Sequence, residues 1–303
     1  MTIAITGGTG FVGQAVLDIA AERGLAMRAL ARNIPTDAHR QVEWVQGSLS
    51  DPAALDRLVA SAEAVIHIAG LTNTPDPAEF ETANVTGTRE VIDAARRAGV
   101  PRLVFVSSLS AREPHLSAYG ASKAKAEKLV AASGLDWTMV RPPTVYGPRD
   151  KDVFELFRSA KWGVIPLPPP GRSSVIHVHD LARLLLALVP THEDATHQIF
   201  EPDDGSEDGW SHKELAHVIG WAMDRHPWSP HLPKGVLERA AKLDRMLRRD
   251  KAKLTADRVG YMTHPDWVCS KRAQVPPAIW TPQVATREGM KATAKWYREA
   301  GWL

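Results

Sequence analysis

Three polar side chains near the middle of the chain have types and spacing suited to proton exchange. Tyr119 and Lys123 lie four residues apart in the segment YGASK, and residues four apart on a helix share one face. A nearby ammonium lowers the pKa of a phenol from its usual value of about 10. Tyr119 would then exchange a proton with a carbonyl or alcohol oxygen, and Ser108, at the end of an expected strand, would hydrogen-bond the same oxygen. Seen alone, such a pair is also common on ordinary helix surfaces.

A glycine-rich segment near the start of the chain predicts a nucleotide site. TGGTGFVG places Gly7, Gly10 and Gly13 between an apolar run and a helical one. Glycine lets the backbone approach a pyrophosphate closely, and the amides of a helix N-terminus attract its charge. The spacing is GxxGxxG rather than GxGxxG, and an isolated glycine cluster is often only a tight turn. The flanking strand and helix favour a dinucleotide.

Arg32 bears on the identity of that dinucleotide. It follows the second expected strand, where an acidic residue suits a ribose 2′-hydroxyl and an arginine suits a 2′-phosphate. The sequence therefore favours NADP and leaves NAD possible, since an ordinary solvated arginine would look the same. Ser48 and Leu49 follow the third strand, where an adenine ring would lie. With a nicotinamide present, Tyr119 would exchange its proton as a hydride is transferred.

These residues need a scaffold, and the first two hundred residues alternate apolar runs with helical periodicity. Strands are expected at 3–6, 26–31, 42–46, 64–68, 102–106 and 137–140, and helices at 12–21, 52–61, 79–98 and 118–133. This alternation predicts an α/β fold with a doubly wound, Rossmann-like parallel sheet.

Beyond about residue 200 the alternation fails, and seven of the ten tryptophans lie there. We expect a dinucleotide-binding domain over 1–165, to which 173–200 returns. A smaller, mostly helical C-terminal lobe over 201–303 would then bind a small-molecule substrate.

Several segments together resemble the extended short-chain dehydrogenase/reductase family, the NAD(P)-dependent epimerases and dehydratases. The segments that carry the resemblance are TGGTGFVG at 6–13, VIHIAG at 65–70, NVTGT at 84–88, YGASK at 119–123, RPPTVYGP at 141–148 and HVHDLA at 177–182. The resemblance runs almost from end to end of the chain. It implies a Rossmann-like domain, a C-terminal substrate lobe, and a homodimer formed through the helices that carry Asn84 and Tyr119.

The resemblance also implies roles for individual residues. The pyrophosphate would be lined by Gly7, Gly10, Phe11 and Val12, the nicotinamide side by Ala69 and Gly70, and the nicotinamide end would be covered by Pro142 and Val145. The implied catalytic triad is Ser108, Tyr119 and Lys123, with Lys123 also on the nicotinamide ribose.

Departures from the family pattern bear on the substrate. Ser108-Leu109-Ser110 offers no acids where the dehydratases carry two, which disfavours dehydration. Sugar-nucleotide epimerases carry an arginine where this chain has Ser173, and the neighbouring Arg172 would point to the opposite face of an extended segment. The sequence favours an NADP(H)-preferring carbonyl–alcohol oxidoreductase. A nucleotide-sugar epimerase that retains NAD, and a non-catalytic NADP-binding scaffold or assembly protein, remain as alternatives.

Composition excludes several other classes of protein. Lys and Arg total 37 against 35 acids, so no strong positive field favours nucleic acid as a partner. The single cysteine, Cys269, fits a reducing compartment. No apolar stretch approaches the length of about 20 residues that spans a bilayer. A cytoplasmic protein is expected.

Other histidines and one basic segment have simpler interpretations. His67 is expected to be a packed core residue. His177, His179 and Asp180 could mimic a metal site, but a structural strand-to-helix junction is preferred and no metal is predicted. The segment 234–253 carries eight basic and three acidic residues and predicts an amphipathic helix with a solvated polar face. Steering of an anionic substrate or contact with a membrane surface is the alternative.

Overall fold

A seven-stranded parallel sheet forms the centre of the protein. The computed structural model describes residues 2–36, 39–249 and 252–303. The strands in chain order are β1 (Thr2–Thr6), β2 (Ala26–Ala31), β3 (Val42–Gln46), β4 (Ala64–His67), β5 (Arg102–Val106), β6 (Asp136–Val140), β7 (Thr144–Tyr146), β8 (Arg172–Ser173), β9 (Val175–His177), β10 (Gln198–Phe200), β11 (Trp210–Ser211) and β12 (Asp266–Trp267). The central sheet has the order β10-β6-β5-β4-β1-β2-β3, and all its pairings are parallel. All six expected strands are present.

Helices cover both faces of this sheet and build most of the remaining structure. They are α1 (Phe11–Glu22), α2 (Pro52–Val59), α3 (Ala78–Phe80), α4 (Gly87–Arg97), α5 (Ala118–Ala131), α6 (Phe154–Lys161), α7 (Val178–Ala187), α8 (His212–Ala222), α9 (Lys234–Arg248), α10 (Ala256–Met262) and α11 (Thr286–Glu299). In the described part of the chain, no helix has the length and apolar character needed to cross a bilayer.

Alternation of side chains along the strands explains the two layers of helices. Ile3 and Ile5 of β1 pack on one face with α1 and α7, whereas Ala4 between them packs on the other face with α2, α4 and α5. Because both faces are covered, the strands are almost continuously apolar. The predicted doubly wound, Rossmann-like α/β fold is confirmed.

The order of the strands decides where a ligand can bind. The chain builds β1, β2 and β3 outward in one direction, and then places β4, β5 and β6 on the other side of β1. The connections after β1 and β4 therefore leave the sheet in opposite directions and open a crevice at its carboxyl edge. Both the glycine-rich segment and the segment after β4 lie at this crevice.

The expected helix over 79–98 is interrupted. A π-helical turn, Glu81–Thr86, separates α3 from α4. Within it the carbonyl of Asn84 accepts a hydrogen bond from the hydroxyl of Thr88 at 2.6 Å, and Asn84 is almost fully buried. Such turns project side chains differently from a regular helix, and here the turn directs Asn84 toward the loop after β4.

A second, mostly helical lobe packs beside the carboxyl edge of the sheet. Its larger core is formed by side chains of α6, α8 and α11, and a smaller core joins α9 to α10. Two short sheets complete it, one with the order β11-β8-β12 and one pairing β7 with β9.

Candidate active site

The glycine-rich turn after β1 is folded so tightly that side chains would not fit. Gly7 has φ of 76°, and a Cβ atom on it would lie 2.7 Å from the backbone nitrogen of Ala69. A Cβ atom on Gly13 would lie 2.1 Å from the carbonyl oxygen of Gly7. The amide of Gly10 donates to that same oxygen at 2.9 Å. Glycine is thus required at positions 7 and 13, and the turn is pressed against the segment after β4.

The N-terminus of α1 is left without a protein cap. Its N-cap is Gly10, which offers no side chain, and the first turn carries no acidic residue. Phe11 and Val12 are half-buried and pack on the core. The free amides and the helix dipole suit an anion, so this turn fits the pyrophosphate of a dinucleotide.

The residues expected around the adenosine lie farther along the same edge. Arg32 is exposed just beyond β2. The hydroxyl of Ser48 lies 2.9 Å from that of Ser50. Leu49 packs against Gly87 of α4, where a Cβ atom would come within 2.7 Å of its Cδ1.

The segment after β4 joins the glycine turn to α5. Gly70 is exposed, and a Cβ atom on it would lie 2.7 Å from Oδ1 of Asn84 and 3.5 Å from Nζ of Lys123. Asn84 accepts from the amide of Leu71 at 2.7 Å and donates to its carbonyl at 3.0 Å. It also donates to the hydroxyl of Ser122 at 2.9 Å. Asn84 therefore ties the loop carrying Ala69 and Gly70 to the helix carrying Lys123.

The structure brings Ser108, Tyr119 and Lys123 to the carboxyl end of β5. The side chain of Ser108 neighbours the Tyr119 phenol, and its oxygen accepts from the amide of Ser110 at 3.2 Å. Lys123 is buried, and its Nζ donates to the carbonyl of Val106 at 2.9 Å. A phenol, a hydroxyl and an ammonium thus converge beside Gly70, where the sheet order opens its crevice.

Burial sets the protonation of these groups. Burial lowers the pKa of Lys123 to about 8, against the opposing charge of Glu127. Burial raises the pKa of Tyr119, while the neighbouring Ser108 side chain acts in the opposite direction. The direction for Tyr119 is the reverse of the lowering predicted from sequence. The Tyr119 ring is packed against Phe80, with 5.7 Å between ring centroids.

Two residues of α10 contact α5 and were missed by sequence reasoning. The carboxylate of Asp257 accepts from the amide of Ala118 at 2.5 Å and faces that of Tyr119 at 3.4 Å. The ring of Tyr261 lies 6.1 Å from that of Tyr119. No motif marks either residue, because the contact joins helices more than a hundred positions apart in the chain. Asp257 thereby supports the first turn of α5, where it complements the helix dipole.

A buried group of charges holds the opposite side of α5. Glu127 accepts from the hydroxyl of Ser107 at 2.5 Å and from Arg141 at 2.8 and 2.7 Å. Arg141 also faces Glu201 at 3.4 Å. Because every member has a partner, the group fixes α5 against β5 and β6 rather than leaving an unpaired charge.

His67 is a packed core residue, as predicted. The hydroxyl of Thr88 donates to the carbonyl of Asn84, so Nε2 of His67 donates to Thr88 at 3.0 Å and Nδ1 accepts from Thr6 at 2.6 Å. Thr6 in turn accepts from the amide of Ala69 at 3.2 Å. Burial, with a contribution from the charge of Lys123, lowers the pKa of His67 to about 3. The neutral ring therefore helps to position the loop at the nicotinamide side.

The residues that resembled a metal site have structural partners. Nδ1 of His177 accepts from the amide of His179 at 3.2 Å. The carboxylate of Asp180 accepts from the amides of Gln283 and Val284, both at 2.9 Å. Across the residues that the structure describes, no cluster of His, Cys, Asp or Glu could hold a metal ion.

The remaining predicted residues lie near the C-terminal lobe. The carbonyl of Pro142 accepts from the amide of Leu109 at 3.0 Å, and Val145 in β7 packs on the central core. Arg172 donates to the carbonyl of Asp208 at 2.8 Å and to that of Gly209 at 3.0 Å. These backbone acceptors fix the position of the Arg172 guanidinium.

Comparison with known proteins agrees with this geometry. Residues 7–191 match a family model described as NAD(P)H-binding. A ceramide reductase of Caulobacter vibrioides is 36% identical over 99% of this chain and 96% of its own length. A 2-alkyl-3-oxoalkanoate reductase of Stenotrophomonas maltophilia is 33% identical over 58% of this chain and 60% of its own. The solved structure of MoeE5 in complex with UDP-glucose and NAD has a TM-score of 0.76 at 21% identity, covering 99% of both chains.

The fold, the uncapped glycine turn and the end-to-end relationship to a reductase lead to one assignment. The chain belongs to the extended short-chain dehydrogenase/reductase family of NAD(P)-dependent epimerases and dehydratases, and it is an NAD(P)-dependent enzyme of the oxidoreductase/epimerase type.

Proposed function

We propose that this enzyme is an NADP(H)-preferring reductase that converts a ketone on a long-chain, ceramide-type lipid into an alcohol. The observation that carries the proposal is the convergence of Ser108, Tyr119 and Lys123 at the carboxyl end of β5, beside the glycine turn. The relative that matches nearly the whole chain is a ceramide reductase. A second relative acts on an oxo group that stands beside an alkyl substituent. The proposal combines the lipid class in the first name with the oxo group in the second.

The residues of the site have complementary tasks in such a reduction. The Ser108 hydroxyl would donate to the ketone oxygen and fix its position. Tyr119, kept protonated by burial, would donate the proton that the oxygen needs as it becomes an alcohol. When bound, the reduced nicotinamide supplies the hydride for the carbonyl carbon. One hydride and one proton balance the conversion of a ketone to an alcohol.

Lys123 and Arg32 would complete the cofactor site. Lys123 lies beside Gly70 and is anchored by the Val106 carbonyl, so its ammonium suits the ribose hydroxyls on the nicotinamide side. Arg32 is exposed past the end of β2, where its guanidinium would pair with a 2′-phosphate. The preference for NADP rests on this residue.

A nucleotide-sugar epimerase is less well supported. The arginine nearest to the position used for a diphosphate, Arg172, is bonded to two backbone carbonyls and lies 3.6 Å from Glu214. An anion there would have to displace these partners. The likeness to sugar-nucleotide enzymes of known structure, at 21% identity, concerns the fold.

Oxidation of NADPH by the purified protein tests the proposal. The substrate is a ceramide whose backbone hydroxyl has been oxidised to a ketone, and NADH and a UDP-sugar serve as comparisons. We expect turnover with NADPH to exceed that with NADH, and Tyr119→Phe to lower kcat by about 10²–10⁴-fold while the Kd for NADPH stays unchanged. Tyr261→Phe is the matched control, because its ring neighbours Tyr119 and it has no role in the proposed proton transfer. Interconversion of UDP-sugars without net NADPH oxidation would refute the proposal.

A further inference from the structure

Exposed apolar side chains are concentrated in one region of the protein. Among the residues that the structure describes, eight large hydrophobic side chains are exposed, and seven of them lie in α9 or in two nearby segments. The seven are Trp162, Val164, Trp228, Val236, Leu243, Met246 and Leu247. The eighth, Ile34, lies after β2. Isolated apolar side chains on a surface are ordinary, but a concentration of this kind marks an interaction surface.

Helix α9 has two apolar faces, and only one of them is buried. Leu237 and Ala241 pack inward against Val259 of α10. By contrast, Met246 and Leu247 are 70% and 71% exposed. Residues 250–251 of the predicted basic segment lie outside the described residues.

The outward face of α9 forms a continuous stripe. Val236, Ala240, Leu243 and Leu247 follow the spacing i, i+4, i+7 and i+11, and all four are exposed. Residues with this spacing lie along one side of a helix. A stripe of four such side chains, next to Met246, is the geometry of a helix that lies on an apolar boundary.

Positive charge borders this stripe. From Lys234 to Arg249 the chain has six basic and two acidic residues, although the whole chain is nearly neutral. One of the two acids, Asp244, accepts from the backbone amides of Lys253 and Leu254 at 2.8 and 2.9 Å. Arg239 lies three residues after Val236 and therefore beside the stripe.

The two exposed tryptophans belong to the same region. The amide of Trp228 donates to the carbonyl of Gly163 at 2.9 Å, which places it beside Trp162. Trp162 and Trp228 are 82% and 71% exposed. The segment after Trp228 leads within six residues into α9. Indole rings favour the boundary between headgroups and hydrocarbon.

Ion pairs hold α6, which ends beside Trp162, against the segment that follows α9. Lys253 pairs with Glu155 at 2.6 Å, and Arg258 pairs with Asp152 at 3.0 Å. These pairs tie α6, at whose end Trp162 lies, to the chain that continues from α9.

We propose that α9, Trp162 and Trp228 form a docking surface for a bilayer that contains anionic lipids. The exposed stripe would enter the headgroup boundary, and Arg239 and Lys242 would contact lipid phosphates. On its inner side α9 packs on α10, whose Asp257 supports the helix that carries Tyr119. Docking would hold the active site next to the phase in which a long-chain substrate dissolves. The inference goes beyond the proposed reaction, because docking requires no substrate.

Flotation of the full-length protein with vesicles tests the docking surface in the absence of substrate. We expect binding to vesicles of phosphatidylcholine mixed with phosphatidylglycerol, and weaker binding to phosphatidylcholine alone or at high salt. The double variant Leu243→Glu and Leu247→Glu is expected to lower the bound fraction by at least about tenfold. Ile34→Glu is the matched control, since it places the same charge on an exposed apolar residue elsewhere, and it should bind like the wild type.

Charge reversal provides an independent arm of the test. Arg239→Glu with Lys242→Glu should weaken binding to the anionic vesicles, whereas Lys213→Glu on α8 should not. Failure of the wild type to float, or equal losses in the control variants, would overturn the proposal. So would size-exclusion data showing that the Leu243 and Leu247 substitutions only separate two copies of this chain. Turnover of detergent-dispersed substrate reports on the reductase proposal separately, because the α9 variants should retain it.

Discussion

Replacement of Lys123 by methionine should raise the stability of the protein and lower its activity. Lys123 is only 4% exposed, and its pKa falls from 10.5 to about 8 because of burial. This difference corresponds to about 3 kcal/mol. At neutral pH the buried ammonium lowers the free energy of unfolding by this amount. Methionine removes the charge and leaves the Val106 carbonyl without its donor, at a cost of about 1–2 kcal/mol. We expect Lys123→Met to be about 1–2 kcal/mol more stable than the wild type at pH 7, with turnover reduced at least about a hundredfold.

The pH dependence provides the sharper part of this prediction. Between pH 8 and 10.5 the unfolded chain keeps the Lys123 proton and the folded protein has released it. The unfolded state therefore binds more protons in this range, and the stability of the wild type rises with pH relative to the variant. The advantage of the variant should shrink by about 1.4 kcal/mol for each pH unit above pH 8.

Urea unfolding at pH 7, 8, 9 and 10, followed by tryptophan fluorescence, measures both quantities. Lys295→Met is the matched control, since the Lys295 side chain is 74% exposed, and its stability should track the wild type at every pH. If Lys123→Met were destabilised by more than about 2 kcal/mol at pH 7, or if its difference from the wild type did not change with pH, the assigned burial of a charged lysine would be wrong.

Three further predictions concern the surroundings of the site. His67 must stay neutral in the fold, so the stability of the wild type should fall as the pH drops from 6.5 toward 3. This residue alone should lower the free energy of unfolding by about 2 kcal/mol at pH 5. If urea unfolding gave the same difference in stability between His67→Gln and the wild type at pH 6.5 and at pH 5, the prediction would be contradicted. Arg32→Asp should raise the KM for NADPH by at least about tenfold and should leave the KM for NADH unchanged, as measured by steady-state kinetics. An equal effect on the KM values of both cofactors would contradict the proposed contact between Arg32 and the 2′-phosphate. Asp257→Ala should lower the free energy of unfolding by about 1 kcal/mol and should reduce kcat more than it changes KM. Asp257→Asn should restore part of the stability and part of kcat. An unchanged kcat in the alanine variant would show that Asp257 has only a structural role.

The local pattern of apolar and polar residues was sufficient to predict most strands of the central sheet. Each strand of a parallel sheet is buried on both faces, so its apolar run stands out from the amphipathic helix that follows it. The interruption of the expected helix over 79–98 could not be predicted in this way. The π-helical turn depends on the partners of Asn84 in the loop after β4 and in α5, which periodicity does not show.

The sequence predicted which residues come together at the candidate site, but it did not predict the direction of the Tyr119 pKa shift. The glycine spacing predicted the tight turn after β1, and the YGASK segment predicted that Tyr119 and Lys123 share one side of a helix near the end of β5; the structure shows both. The direction of the Tyr119 pKa was wrong, because the spacing of Tyr119 and Lys123 contains no information about how deeply each is buried. The prediction for His67 was confirmed, since a histidine within an apolar strand has little alternative to the core.

The sequence by itself determined the order of strands and helices, the need for glycine at the nucleotide turn and the chemistry available at the end of β5. All of these depend on backbone conformation and on neighbours within a few residues. Only the tertiary structure decided that Asp257 supports the first turn of α5, that Arg172 is held by backbone carbonyls, and that α9 carries an outward apolar stripe. The burial of a side chain and its contacts with residues far away in the sequence depend on the packed chain, because they arise only when distant segments exclude water from one another.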